Sequence, residues 1–259
     1  MRNLFDSSSP LLKPEDMVIT FTGRKEEELR LPSRAIITFH TGDTKTLLAK
    51  VDHKPVKAWL PFRSLFLIEN SDTIVARCLF GGPNVAALVE ELSSFGVQDF
   101  ILWGYCGSIS DDVSIGDILA AKGALREDGV SHHYLRSTHD FISTPWFESW
   151  QQLASASGIR PAMIWTCDAL YRETIRKVSA YRNRGIDAVE MEVASLYAVS
   201  LSKNLNSIAF LVVSDQFRQR QWHPGFSKES FRNGAARLRD FLLNHGILRK
   251  KAPVTAPSG

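Results

Sequence analysis

The chain has 259 residues, 44% hydrophobic and 23% charged, an ordinary globular composition that can bury a sizeable core. Its 31 basic and 28 acidic residues leave a formal charge of +3, too even a balance to point to nucleic acid or an anionic membrane as partner. No apolar run approaches the ~20 residues of a membrane span, and Met1-Arg2-Asn3-Leu4-Phe5, followed by Asp6 and three serines, lacks the apolar stretch of a signal peptide.

The first ~15 residues read as a loose terminus. Short β-branched or aromatic runs bounded by turn residues predict strands over 35–39, 64–68 and 73–79. Gly81-Gly82-Pro83-Asn84 then opens a helix over 85–95, with Leu88, Val89 and Leu92 on one face and Glu90 and Glu91 turned away. Strands follow over 100–103, 118–121 and 162–165. A helix over 189–201 carries Val193, Leu196, Tyr197 and Leu201 at helical spacing. A buried strand over 208–213 and a helix over 228–244 complete the order. Beyond them come the basic Arg249, Lys250 and Lys251 and a loose end over 252–259. Strand and helix in alternation predict one α/β domain over 1–259, a three-layer sandwich around a mixed, mainly parallel sheet. In such folds ligands gather at the carboxyl ends of the strands.

The three cysteines, Cys78, Cys106 and Cys167, have no C-x-x-C spacing and cannot all pair, which fits a reduced, cytoplasmic compartment. His132-His133 has no partner at ligand spacing, so no metal or other cofactor is expected. No G-x-S-x-G elbow suggests a serine hydrolase.

The loops after strands carry the chemistry. Gly81-Gly82-Pro83 is either an anion-binding helix start or a tight packed connection. Gly104-Tyr105-Cys106-Gly107-Ser108 is neither a Walker loop nor a dinucleotide fingerprint, and reads as a close backbone approach to a ligand or an ordinary turn. Thr166 to Tyr171 puts an aromatic at a strand end. In Glu190-Met191-Glu192 the carboxylates are two apart and cannot share a helix face. One suits the positive helix start, and the other would point toward the sheet ends, where a carboxylate could grip vicinal hydroxyls. Asp215, after Ile208 to Val213, is a carboxylate at a buried strand's end, a place for a proton donor of raised pKa.

In this order the segments Leu79 to Pro83, Gly104 to Ile109, Val113 to Leu119, Thr166 to Tyr171, Val189 to Glu192 and Val213 to Asp215 resemble the nucleoside phosphorylase family of purine phosphorylase, uridine phosphorylase and adenosylhomocysteine nucleosidase type. The resemblance implies cleavage of the N-glycosidic bond of a nucleoside, with phosphate as partner substrate and a homo-oligomer, dimer or hexamer, completing the sites. Glu192 would hold the ribose hydroxyls, with Glu190 beside it and Met191 under the sugar. Cys106 and Gly107 would lie along the base, Leu170 and Tyr171 near its ring. Asp215, helped by Ser214, would protonate the leaving purine.

The phosphate side departs from the family pattern. Gly42-Asp43-Thr44-Lys45-Thr46 has no arginine at its end, Leu102 stands where a second arginine belongs, and Tyr105 fills a small, hydroxylic position. Gly42, Lys45, Arg63 and Tyr105 are the candidate phosphate contacts, Arg63 matching the residue lent by a neighbour, and Arg77 is a further cation in reach of the argument. The histidine that the resemblance leads one to expect near the amino terminus, capping the 5′-hydroxyl, is absent, which leaves His132 or His133, or a substrate with a different 5′ group. Phosphorolysis leads, with hydrolysis by water, or nucleoside binding without turnover, as alternatives.

Overall fold

A computed structural model describes residues 4–57, 59–61, 63–136 and 139–247. The chain runs α1 (Pro14–Thr22), β1 (Arg34–Thr38), α2 (Thr41–Leu48), β2 (His53–Pro55), β3 (Ser64–Ile68), β4 (Thr73–Arg77), α3 (Gly82–Ser94) and β5 (Asp99–Ser108). It continues through β6 (Ile118–Glu127), α4 (Ser131–Tyr134), β7 (Phe141–Ser143), α5 (Phe147–Ala156), β8 (Arg160–Cys167) and α6 (Ile175–Arg182). The last elements are β9 (Ala188–Glu190), α7 (Val193–Ser202), β10 (Asn206–Arg218), β11 (Gln221–Pro224) and α8 (Glu229–Leu242).

All eleven strands join one mixed sheet. Its centre, β4-β1-β5-β10, is parallel, as is β6-β8-β9, while the edges and the β10–β6 and β5–β9 seams are antiparallel. Because β10 pairs with both β5 and β6, five strands close on themselves. Helices cover both sides, giving the expected sandwich. α3 packs on α7 on one side, and Trp150 of α5 meets Phe241 of α8 and Phe210 on the other. The strands here are buried on both faces and therefore read as unbroken apolar runs, as in Ile208 to Val213. α7 is buried from Val193 to Ser200 and accordingly carries no charged residue.

Several boundaries move for physical reasons. The chain is already helical from Pro14, whose missing N–H costs nothing in a first turn, and α1 stops at Gly23 with φ 63°. The segment expected as a phosphate loop, Gly42 to Thr46, is inside α2. Residues 104–108 are not a turn, because β5 runs straight through them. The helix expected from Val189 begins at Val193, after strand β9. Glu91 does not face solvent: Arg63 Nε and Nη2 donate to its two carboxylate oxygens at 2.8 and 2.7 Å, and both side chains are buried. A paired carboxylate can occupy an inward helix position that pattern alone reserves for apolar residues. The basic residues 249–251 and the end over 252–259 lie outside the described residues. No described helix is long and apolar enough to cross a membrane.

Candidate active site

The carboxylates of Glu190 and Glu192 divide two tasks. Glu190 ends β9 beside Thr166 of β8. Its Oε2 accepts the backbone N–H of Glu192 and Val193 at 2.7 and 2.9 Å, and its Oε1 accepts Thr166 Oγ1–H at 2.6 Å. Thr166 Oγ1 in turn accepts the Ala194 N–H at 3.0 Å. Together they satisfy three N–H groups that a helix start leaves unpaired, so Glu190 caps α7 from a neighbouring strand. Glu192 precedes α7, and its Oε1 accepts the Gly81 N–H at 2.6 Å. The helix start at Gly81-Gly82-Pro83 thus receives an anion from the protein itself. Burial raises the pKa of both carboxyls, and the charge of Glu192 raises Glu190 further. Met191, between them, is half-buried.

Asp215 is within β10, not at its end. Pairing with β5 matches Val213 to Cys106 and Asp215 to Gly107, so Ser214 is the extra residue of a β-bulge. Bulges re-aim side chains beside active sites. Here Asp215 Oδ2 lies over Gly107, where any Cβ would sit 2.9 Å from it. Ser214 Oγ–H donates to Asp215 Oδ1 at 2.6 Å, and Trp222 Nε1–H on β11 donates to Oδ2 at 2.8 Å. The second contact exists because β11 folds back antiparallel on β10. β5 separates Asp215 from β9, since Gly107 pairs with both Asp215 and Val189. Two strand spacings are about 10 Å.

On the same side, the Phe217 ring approaches Gly107, where a Cβ would meet its Cε2 at 3.0 Å. Cys106 is buried, and burial, then the charge of Asp215, pushes its thiol well above the ordinary range. Leu170 and Tyr171 form a 3₁₀ turn and point outward, Tyr171 94% exposed, so within one chain Tyr171 covers no pocket. The residue that faces this region from that segment is Glu173. Burial, then the charge of Asp215, raises its carboxyl to about 7. Sequence reasoning missed Glu173, Phe217 and Trp222. The alternation of Asp215 and Phe217 along one strand was a signal for the second, but nothing local marks the other two.

The acceptor side differs most from expectation. Gly42 and Lys45 lie exposed on α2, as does Thr46. Arg63 is committed to Glu91, and Leu102 is fully buried in β5. Tyr105 donates its O–H to Asp43 Oδ2 at 2.5 Å, and its ring stacks on His40 at 4.4 Å and meets Phe231 edge-on at 4.8 Å. Burial raises the Asp43 carboxyl and lowers His40. An aromatic of β5 and a carboxylic acid of α2 therefore meet where the family resemblance leads one to expect guanidinium groups. His132 and His133 are on the short α4, apart from this cluster in sequence and element.

The model of the phosphorylase superfamily matches residues 33–244. A guanosine phosphorylase of Halorubrum lacusprofundi is 30% identical over 150 residues, 56% of this chain and 61% of that protein. A DeoD-type purine nucleoside phosphorylase of Bacillus cereus is 30% identical over 141 residues, 52% of this chain and 60% of that one. The chain thus spans about three-fifths of the length of these curated relatives. A crystal structure of purine nucleoside phosphorylase from Toxoplasma gondii in complex with immucillin-H superposes with a TM-score of 0.74 at 17% identity, covering 85% of this chain and 91% of that one. That likeness concerns the fold.

Proposed function

Since the chain belongs to the phosphorylase superfamily, we propose that it cleaves the N-glycosidic bond of a purine nucleoside, with phosphate as acceptor, giving free base and ribose 1-phosphate. The observation that carries the reading is Asp215, turned by a bulge over Gly107 and held by Ser214 and Trp222, with Glu192 on the far side of β5. In the reaction the bond from ribose C1′ to the base nitrogen breaks and its electron pair leaves with the base. Asp215 delivers a proton to the departing purine, so the leaving group is neutral. General acid help of this kind is worth roughly 10²–10⁴-fold. Glu192 accepts hydrogen bonds from the ribose hydroxyls, with Met191 beneath the ring. The oxygen of the acceptor then bonds to C1′ as the oxocarbenium-like centre collapses. Cys106, Gly107 and Phe217 form the wall beside the base, and Glu173 is a second carboxyl for its edge.

Both relatives are named phosphorylases, which supports phosphate. A second reading, hydrolysis, has its own observation: Asp43, bonded to Tyr105, puts a carboxyl where cations would serve a phosphate dianion. Assembly into a homo-oligomer is also proposed. Leu79, Phe80, Leu170, Tyr171, Trp222 and Phe226 are large apolar side chains left exposed around these strand ends, and a second copy would cover them.

The purified protein is mixed with inosine, adenosine and uridine, with and without phosphate, and free base and ribose 1-phosphate are followed. Base release from the purine nucleosides only with phosphate is expected. Release without phosphate replaces the first reading by the second, and no release from any nucleoside overturns both.

A further inference from the structure

The β10–β11 hairpin has two faces, and the reaction uses one. Asp215, Phe217 and Trp222 alternate toward Gly107, whereas Gln216, Arg218 and His223 face away, as β pleating and the pairing of Gln216 with His223 require. On that far face lies an open cleft of about 630 Å³ lined by Arg182, Arg218, Lys228, His223, Gln216 and Asp111. Three of these are basic side chains and one is a carboxylate. That carboxylate, Asp111, is 70% exposed and its Oδ2 is 3.6 Å from Arg182 Nη1, a weak counterweight.

The two guanidinium groups are fixed by backbone carbonyls. Arg182 donates from Nε to Ile109 O and from Nη2 to Phe217 O at 2.9 Å. Arg218 donates from Nη2 to Asp111 O at 2.8 Å, and its buried Nε has no acceptor among the described residues. Carbonyls hold a guanidinium in place without neutralising its charge. With those edges held by carbonyls, the remaining N–H groups of the two arginines and the Lys228 ammonium present charge-assisted donors to the oxygens of a phosphate group, and side chains already ordered lose little entropy on binding. The hairpin tip, Gln219-Arg220, has φ of 51° and 61°, the positive values that a two-residue I′ turn requires at both central positions.

We propose that this cleft is an anion site for a phosphate group, carried by a phosphomonoester or free as inorganic phosphate, separate from the acceptor side of the reaction. Its existence does not depend on turnover. The test is calorimetric titration of the full-length protein with inorganic phosphate and, separately, ribose 5-phosphate, in buffer of constant ionic strength. Saturable binding of at least one is expected, and the tighter of the two identifies the source. Lys228→Met and Arg218→Gln should each weaken it by about tenfold or more, and Asp111→Asn should tighten it. Lys228 is exposed, so its variant keeps the fold and decides the matter if the arginine variant does not. No saturable binding of either probe overturns the site. So does binding that Lys228→Met leaves unchanged, which would put the anion elsewhere.

Discussion

At the scale of single residues, each proposed role can be separated by what its loss changes. Asp215→Asn can still accept the Trp222 Nε1–H through its one carbonyl oxygen while its amide donates to Ser214 Oγ, but it has no acidic proton to transfer. Base release should fall by roughly 10²–10⁴-fold while nucleoside binding persists; equal turnover would end the assignment. Glu192→Ala should weaken ribosides far more than free bases in a binding titration, because only ribosides offer the hydroxyls. Glu173 gives a pH signature. Its carboxyl keeps its proton up to about 7, so KM for the nucleoside should rise as pH climbs through that value and Glu173 becomes charged beside the base. Glu192 is raised to about 7 as well, so Glu173→Gln should flatten the KM profile rather than abolish it, and a profile it leaves unchanged would place the titrating group elsewhere.

At the scale of elements, the site depends on how closely α3 and α7 approach. A Cβ on Gly82 would fall 2.2 Å from Ser195 Oγ and 3.1 Å from its Cβ. Ser195 cannot easily yield, since its hydroxyl donates to buried Asp128 at 2.6 Å. Gly82→Ala should therefore cost about 1–3 kcal/mol, read in denaturant melts, by forcing the two helix starts apart. It should also weaken riboside binding, because Gly81 N–H holds Glu192. An unaltered melting curve would show that this junction has slack. The same junction explains where pattern reading stopped. Apolar spacing from Val193 onward revealed α7, but the short β9 before it has no periodicity of its own. It is a strand only because β8 and β5 flank it. Likewise Gly42 to Thr46 reads as a loop, yet Leu47 and Leu48 bury against the core and draw the segment into a helix.

At the scale of the whole molecule, buried carboxyls set the pH response. Glu173, Glu190, Glu192, Asp43, Asp168 and Asp187 are all raised, burial first among the causes. A raised acid binds more proton folded than unfolded between the two pKa values, so stability declines as pH rises across that interval. His40, lowered by burial, acts oppositely as it loses its proton, but it is one group against six. Thermal melts of the ligand-free protein should therefore show the highest Tm in mildly acidic buffer, falling from the ordinary carboxyl range of 3.8 to 4.5 upward through neutral pH. A Tm that rises over that range would contradict the burial of these groups.

The linear order of apolar runs, Gly-rich junctions and the Glu-Met-Glu and Ser-Asp pairs was enough to determine the α/β sandwich and to mark Asp215 and the Glu190/Glu192 pair as candidates, because strand burial and helix starts leave their mark on neighbouring residues; only the family resemblance pointed to Glu192 of the two. Tertiary structure alone decided which carboxylate caps α7 and which accepts the Gly81 N–H, since Thr166 and Gly81 come from distant segments. It also decided that Trp222 donates to Asp215, that Arg63 goes to Glu91, and that Tyr105 meets Asp43. Partners separated by up to 111 residues depend on strand register and sheet order, which no local pattern encodes.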